Sequence, residues 1–248
     1  MNTIKSLLFT LLLVCICACG NKPYPQTMQL ADSLVNSNPD SAVTLLAQLR
    51  KDITSEPEAT QMYYQLLTIK AKDKAYITHT SDSLIKKVVK YYEDKKDKKR
   101  LGEAYYFGGR VYRDLGDAPQ ALDYLQKAIE TSEGSTEYRL ISLMQSQTGM
   151  LFLYQDIYDK ALDAFKKAHY YAEASKDSTY LVFNLRDIGR AFTGMNNVDS
   201  TLYYYQKAEQ VAREINDIHL IGIINQEVTN IYTQLGDYTK AYNAIQAS

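Results

Sequence analysis

The eight residues ALDYLQKA, Ala121–Ala128, return along this chain at intervals of forty residues. The later copies read ALDAFKKA (Ala161–Ala168), TLYYYQKA (Thr201–Ala208) and AYNAIQAS (Ala241–Ser248). A second spacing precedes each copy: a small residue is followed three positions later by an aromatic one. The small residues are Gly109, Gly149, Gly189 and Thr229, and the aromatic ones are Tyr112, Phe152, Phe192 and Tyr232. Self-similarity at a fixed interval of this length indicates an array of repeated structural units.

Each half of the repeat has the apolar spacing of an amphipathic helix. In ALDYLQKAI, the residues Ala121, Leu125 and Ala128 share one helical face. Short polar segments such as LGDAP, Leu115–Pro119, separate the halves. The pattern therefore predicts an all-α solenoid of antiparallel helix hairpins, in which each hairpin buries its apolar face against its neighbours. Small residues such as Gly109 and Ala121 are expected to let the paired helices approach closely.

Acidic residues also recur at forty, just before each first helix: Asp97, Glu137, Asp177 and Asp217. An acid at a helix N-terminus accepts hydrogen bonds from free backbone N–H groups, so we expect these residues to begin the first helices.

The repeat resembles the tetratricopeptide repeat. The positions that match the family pattern in the unit from Leu101 are Tyr105, Gly109, Tyr112, Ala121, Leu125 and Ala128. The next unit matches through Gly149, Phe152, Ala161, Phe165 and Ala168, whereas Thr201 replaces Ala in the third and Thr229 replaces Gly in the fourth. Two features depart from the family pattern: the interval of forty is longer than the usual one, and the late Pro is missing. Repeats with so long a period resemble those of peptide-responsive bacterial regulators. The resemblance implies a right-handed superhelical solenoid.

The N-terminal segment MNTIKSLLFTLLLVCICACG has one early charge, a short apolar run and all three cysteines of the chain. It resembles a bacterial lipobox, with Cys19 as the acylated residue; an ordinary signal peptide or an uncleaved anchor are the alternatives. We predict a signal peptide over 1–18 and a lipidated tether over 19–25. Two degenerate helical repeats then occupy 26–100, and four repeats, the last incomplete, occupy 101–248. No disulfide is expected in the mature chain.

Catalytic and metal-binding patterns are lacking in the sequence. None of the three histidines stands at metal-ligand spacing from another His or an acid, and no phosphate-binding glycine motif or nucleophile elbow is present. Lys+Arg and Asp+Glu nearly balance, at 28 and 29, which gives no reason to expect nucleic acid. We therefore predict a protein without enzymatic activity, cofactor or metal. The charge run EDKKDKKR, Glu93–Arg100, is predicted to solvate a helix end, with contact to lipid headgroups or an anionic partner as the alternative.

The resemblance implies a ligand groove lined by the first helix of each repeat. Carried over position by position, the predicted groove residues are Tyr63, Lys70, Tyr106, Arg110, Arg113, Met150, Leu153, Arg186, Arg190 and Asn230. Arginine can bind a carboxylate bidentately and stack on tyrosine, so such a groove would suit an extended peptide with acidic groups or a free C-terminus. The alternative is that these arginines are solvated or paired with local acids such as Glu103, Asp114 or Asp187.

Taken together, the sequence predicts a lipid-anchored protein of a Gram-negative cell envelope that acts as a protein- or peptide-binding scaffold or sensor. An outer-membrane assembly factor and a glycan-capturing lipoprotein are the alternatives. The absence of Trp disfavours a sugar platform. The last repeat ends early, so we expect a second copy or a partner at that end, or a longer signalling protein of which this is the sensor half.

Overall fold

The computed structural model describes residues 24–246. All regular elements in this range are helical, twelve α-helices and one short 3₁₀ turn, which is the all-α class that the sequence predicts. The chain divides into two compact units, and the division falls between Ala75 and Tyr76. The predicted signal peptide and the acylated Cys19 lie outside the described residues.

The first unit contains three α-helices around one apolar core. The helices are α1 (Gln26–Leu34), α2 (Pro39–Leu49) and α3 (Glu58–Lys74), with the 3₁₀ turn at Asp52–Ser55. Helix α2 begins where the side chain of Asn38 accepts a hydrogen bond from the backbone N–H of Ser41 at 3.2 Å. Buried apolar residues of all three helices form the core, including Met28, Leu46 and Leu67.

The second unit contains the other nine described α-helices. Helix α4 spans Ser83–Lys95. Four first helices follow, α5 (Lys98–Asp114), α7 (Tyr138–Leu153), α9 (Ser178–Gly194) and α11 (Ile218–Gln234). They alternate with four second helices, α6 (Ala118–Thr131), α8 (Tyr158–Ser175), α10 (Val198–Glu214) and α12 (Tyr238–Gln246). Each helix packs against the next one along the chain, and α7 also contacts the first helices α5 and α9.

A left-handed residue followed by a capping residue produces most turns of the second unit. The φ angle is positive at Lys96, Gly116, Lys176, Asn196 and Gly236, among others. The next residue then begins a helix with its side chain: Asp97, Asp117, Asp177, Asn197, Asp217 and Asp237 each accept a hydrogen bond from a backbone N–H three residues on. These caps satisfy N–H groups that have no partner within the helix.

Three of the four acids predicted to begin the first helices have this role, namely Asp97, Asp177 and Asp217. Glu137 stands at the same position before α7 without a side-chain capping hydrogen bond. Its longer side chain instead contacts the Nζ atom of Lys99 at 2.8 Å.

The repeated glycines let a large side chain of the second helix lie against the first helix. A Cβ atom on Gly109 would lie 2.6 Å from Cγ of Leu125 and 3.2 Å from the backbone oxygen of Ala121. A Cβ on Gly149 would meet the ring of Phe165. The predicted close approach at Gly109 and Ala121 is therefore confirmed, and the missing side chain at Gly109 and Gly149 leaves the space that Leu125 and Phe165 occupy.

Candidate functional site

The first helices of the second unit carry the arginines of the predicted groove. Arg110 and Arg113 lie on α5, and both donate a hydrogen bond to Oε1 of Gln147 on α7; the distance from Nη1 of Arg113 is 3.3 Å. Two cations of one helix therefore share one neutral acceptor on the next first helix. Both guanidinium groups are half-buried.

Asp114 holds the other side of Arg113. Its Oδ1 atom accepts hydrogen bonds from Nε and Nη2 of Arg113, at 3.2 and 2.6 Å. Its Oδ2 atom accepts from the backbone N–H of His79 at 3.1 Å and lies 2.9 Å from Nδ1 of the same histidine. Burial alone would raise the pKa of the Asp114 carboxyl, but the hydrogen bonds from Arg113 and His79 outweigh burial and lower it.

Arg190 connects three consecutive first helices. It lies on α9, where its Nη1 atom is 3.8 Å from Oδ1 of Asp187. The same Nη1 is 4.0 Å from the sulfur of Met150 on α7, and Nε is 3.9 Å from Oε1 of Glu227 on α11. The predicted residues Arg190 and Met150 therefore meet, as the sequence alignment of the repeats implies.

Asp187 is a buried carboxylate beside two guanidinium groups. Oδ1 of Asp187 accepts hydrogen bonds from Nε and Nη2 of Arg186, at 3.0 and 2.7 Å. Burial raises the pKa of Asp187, and the positive charges of Arg186 and Arg190 act in the opposite direction. The guanidinium of Arg186 also lies 5.1 Å from the ring centre of Phe183, within cation–π range.

The remaining predicted groove residues have different environments. Tyr106 is only 3% exposed and packs edge-on against Phe107. Leu153 is half-buried at the end of α7, and exposed Asn230 accepts a hydrogen bond from Gln226 at 3.0 Å. In the first unit, Tyr63 is 4% exposed and donates a hydrogen bond to Asp32 at 2.5 Å, while Lys70 is half-buried on α3. Both tyrosine rings therefore belong to the interior of the units.

The sequence reasoning missed two polar partners of the arginines, Gln147 on α7 and Glu227 on α11. Gln147, Asp187 and Glu227 occupy one repeat position, two residues before Gly149, Gly189 and Thr229. Their interval of forty would have been a sufficient signal, because residues at one repeat position face the same way on successive first helices. Local pairing with a carboxylate, which was the alternative at the sequence level, is found for Arg113 and Arg186.

A separate cavity of about 460 Å³ opens between α6, α7 and α8. Its walls include Gln126, Gln145 and Phe152, and none of the predicted groove residues. Among residues 24–246, no group of three His, Cys, Asp or Glu side chains is arranged to hold a metal ion. No helix within that range has the length and apolar character needed to span a bilayer.

Solved structures of helical-repeat proteins are similar to this chain. RapI in its apo form superposes with a TM-score of 0.66 at 15% identity, over 90% of this chain and 94% of that chain. The chain has a tetratricopeptide-like solenoid fold. No protein-family model matches it, and no curated protein does.

Two further structures share this fold. A signal transduction ATPase with numerous domains from Pyrococcus horikoshii, which carries a tetratricopeptide repeat sensor, gives a TM-score of 0.67 at 14% identity. That match covers 88% of this chain and 37% of the ATPase. A Rap protein complexed with competence and sporulation factor gives a TM-score of 0.52 at 14% identity, and the match covers 88% of this chain and 73% of the Rap protein. Identities this low establish the fold alone.

Proposed function

We propose that this protein is a non-catalytic lipoprotein of the cell envelope that binds a protein or peptide on its first helices and acts as a scaffold or sensor. The observation that carries the proposal is the connection of α5, α7, α9 and α11 by arginine side chains. Arg110 and Arg113 reach Gln147 on α7, and Arg190 reaches Met150 on α7 and Glu227 on α11. We call the surface formed by these six residues, together with Arg186 and Asp187, the arginine face.

The arginine face is suited to binding because its side chains are already held in place. A guanidinium has five N–H donors, so it can keep an internal acceptor and still donate to a ligand carbonyl or carboxylate. Side chains that are fixed before binding lose less conformational entropy on binding. Pre-organisation of this kind favours recognition of an extended segment that crosses several helices.

The charge of the surface limits the kind of ligand. Four arginines (110, 113, 186 and 190) stand beside three acids (Asp114, Asp187 and Glu227), so the net charge of these groups is +1. The attraction for an acidic peptide is therefore weaker than the arginines alone would produce. A peptide segment with a single carboxylate and free backbone carbonyls fits better than a strongly acidic one.

The solved structures support a binding role by analogy of fold. One Rap protein with this fold was solved in complex with competence and sporulation factor, and the ATPase from Pyrococcus horikoshii uses its repeats as a sensor. We infer a comparable sensor or scaffold role for this chain. That this chain has a peptide ligand, or is connected to a signalling region, is part of the proposal.

Photo-crosslinking in intact envelopes tests the binding proposal. A photo-reactive amino acid replaces Asn230, which is exposed on α11 at the same repeat position as Met150 and Arg190 of the arginine face. In a control it replaces Tyr203, which is exposed on α10. We expect a discrete crosslinked partner from position 230 and none from position 203. Equal crosslinking from both positions would show that the arginine face is not the binding surface.

A charge variant of the crosslinking experiment identifies the side chains involved. Arg110→Gln, Arg113→Gln and Arg190→Gln are combined in one variant, and Lys127→Gln, Lys166→Gln and Lys167→Gln, on second helices, in the control. Both variants remove three positive charges, but the control lysines are exposed and lie outside the arginine face. We expect only the arginine variant to lose the partner. Loss in both variants would indicate a general charge effect.

The lipid anchor is tested separately. We infer that Cys19 carries the lipid because a small residue, Ala18, precedes it. Cys19→Ala is expected to abolish incorporation of a labelled fatty acid and to release the protein from the membrane fraction. If the fatty-acid label persists in the Cys19→Ala variant, Cys19 is not the acylated residue.

A further inference from the structure

One short segment of this nearly neutral chain has a strong positive charge. Residues 82–100 contain eight basic and four acidic side chains, a net charge of +4. The other residues contain 20 basic and 25 acidic side chains, a net charge of −5. The positive charge is therefore concentrated in α4, the turn after it and the first turn of α5.

The lysines of this segment are exposed while its apolar residues are buried. Ile85, Val88, Val89 and Tyr92 form the inner face of α4. We call the seven lysines the basic surface: Lys86, Lys87, Lys90, Lys95, Lys96, Lys98 and Lys99. All seven are exposed. Helical spacing places Lys86, Lys87 and Lys90 on the side of α4 opposite its buried residues.

Internal acids neutralise only part of the basic surface. Lys86 lies 2.6 Å from Asp82 and Lys99 lies 2.8 Å from Glu137, and both pairs are open to solvent. Within residues 24–246, Lys87, Lys90, Lys96 and Lys98 have no ion-pair partner. Exposed pairs are weak and exchange readily for other anions, so most of the surface is free to attract an external negative charge.

The position of Lys98 and Lys99 also works against the local structure. They occupy the first turn of α5, which contains no acid. The N-terminus of a helix carries partial positive charge, so cations there are unfavourable and acids are favourable. The helix dipole therefore does not explain the presence of these two lysines.

We propose that the basic surface contacts anionic lipid headgroups of the membrane to which the protein is anchored. Clustered lysines beside a membrane are attracted to anionic lipids, and one lipid chain with a basic patch holds a protein more firmly than either alone. Half-buried Tyr91, with Nζ of Lys95 lying 5.3 Å from its ring centre, adds an amphipathic side chain of the kind enriched at membrane interfaces. The inference rests on the proposed envelope location.

Vesicle binding tests this proposal without the lipid anchor. Residues 20–248 keep every described helix and lack both the signal segment and Cys19. We measure cosedimentation with vesicles of phosphatidylcholine mixed with phosphatidylglycerol, with vesicles of phosphatidylcholine alone, and in the presence of soluble glycerol 3-phosphate. We expect binding to the mixed vesicles only, weakened by salt. Binding abolished by glycerol 3-phosphate at matched phosphate concentration would indicate a free-phosphate site and overturn the proposal.

Two variants assign the binding to the basic surface. Lys87→Gln, Lys90→Gln, Lys96→Gln and Lys98→Gln form the test variant, and Lys127→Gln, Lys160→Gln, Lys166→Gln and Lys167→Gln form the control with the same charge. A lysine near an anionic membrane contributes a factor of about five to binding, so removing four lysines is expected to weaken binding to mixed vesicles by up to about several hundredfold. The control is expected to bind like wild type. Helical circular dichroism checks that both remain folded.

The outcomes separate this proposal from the proposed function. If wild type does not bind mixed vesicles, or if both variants lose binding equally, the basic surface is not a lipid contact. The crosslink from position 230 does not depend on this result, because position 230 lies on α11 and the basic surface lies on α4 and the start of α5. A persistent crosslink without vesicle binding would overturn the lipid contact and leave the peptide-binding proposal standing.

Discussion

Gly149 on α7 lies directly against the ring of Phe165 on α8, so that a Cβ atom at position 149 would be 2.5 Å from Cε1 of Phe165. Gly189 and Tyr205 have the same relationship one repeat later. The large residue of the second helix thus fills the space that the absent side chain of the first helix leaves. Close packing of these two hairpins therefore requires a glycine on the first helix opposite a large side chain on the second.

Gly149→Ala is expected to destabilise the protein. The added methyl group cannot fit without moving the buried Phe165 ring, and overpacking of this kind costs about 1–3 kcal/mol. The free energy of unfolding from urea titration measures the effect.

Gly222→Ala on α11 is the matched control, because, apart from its chain neighbours and the backbone of its own helix, no atom of the described residues lies within 4 Å of the Cβ position there. Alanine is a better helix former than glycine by about 1 kcal/mol, so this variant should be more stable than wild type. Similar destabilisation by both changes would contradict the packing argument.

The turns provide a pair of opposite backbone tests. Gly116 has a φ of +76° and open space around its Cβ position, so Gly116→Ala introduces backbone strain without a clash. We expect a loss of about 1 kcal/mol in the free energy of unfolding. Lys176 has a φ of 57°, and Lys176→Gly should relieve strain there and raise the midpoint of thermal unfolding. A lower midpoint for Lys176→Gly would show that its side chain has a stabilising role.

Asp114 should make the stability of the fold sensitive to acid. Burial favours the neutral carboxyl, but the hydrogen bonds from Arg113 and His79 lower its pKa below the ordinary value. The stabilisation is therefore complete above the unfolded pKa of about 4 and is lost as pH falls through the folded value. Asp114→Asn should be less stable than wild type near neutral pH, and the difference should shrink below about pH 4. A difference that is the same at both pH values would contradict the ionic role.

His169 should have an effect at higher pH. Burial lowers the pKa of its imidazole, the charge of Glu173 opposes the change, and Lys207 adds to it. The unfolded chain therefore binds more protons than the folded chain just below the ordinary pKa of about 6.5, and stability falls as pH falls through that range. The Nδ1 atom of His169 is buried and has no hydrogen-bond partner among residues 24–246, so a proton there would be costly.

Unfolding midpoints between about pH 7 and pH 5 test this effect, because that interval spans the titration of an ordinary histidine. The His169→Gln variant should lose less stability than wild type between about pH 7 and pH 5. If its unfolding midpoint changes with pH as steeply as that of wild type, the pH dependence comes from other groups.

The starts of three first helices in the second unit were predictable from the sequence because each of these boundaries has a local cause. The acid at the start of α5, α9 and α11 accepts a backbone N–H bond within three residues, and the glycines that oppose Leu125 and Phe165 recur at one interval. The failed cap at Glu137 shows the limit of the pattern. The repeat specifies an acid, but side-chain length and the nearby Lys99 decide its contact.

The candidate site was predictable in position but not in pairing. The repeat interval places Arg110, Met150 and Arg190 at one position of successive first helices, and the structure brings Arg190 to Met150. The partners of the arginines depend on rotamers and on the offset between helices. Sequence spacing does not specify either quantity, because side chains of different helices meet only after the hairpins have packed.

By itself, the sequence determined an all-α chain of paired helices with a tetratricopeptide-like fold, because helical periodicity, capping acids and small residues act within one hairpin. Only the tertiary structure decided that Asp114 and Asp187 hold Arg113 and Arg186, that Tyr63 and Tyr106 are buried, and that four lysines around α4 have no internal partner among residues 24–246. Burial and ion pairing depend on which helices become neighbours, and the neighbours of a helix are determined by packing between residues that are far apart in the sequence.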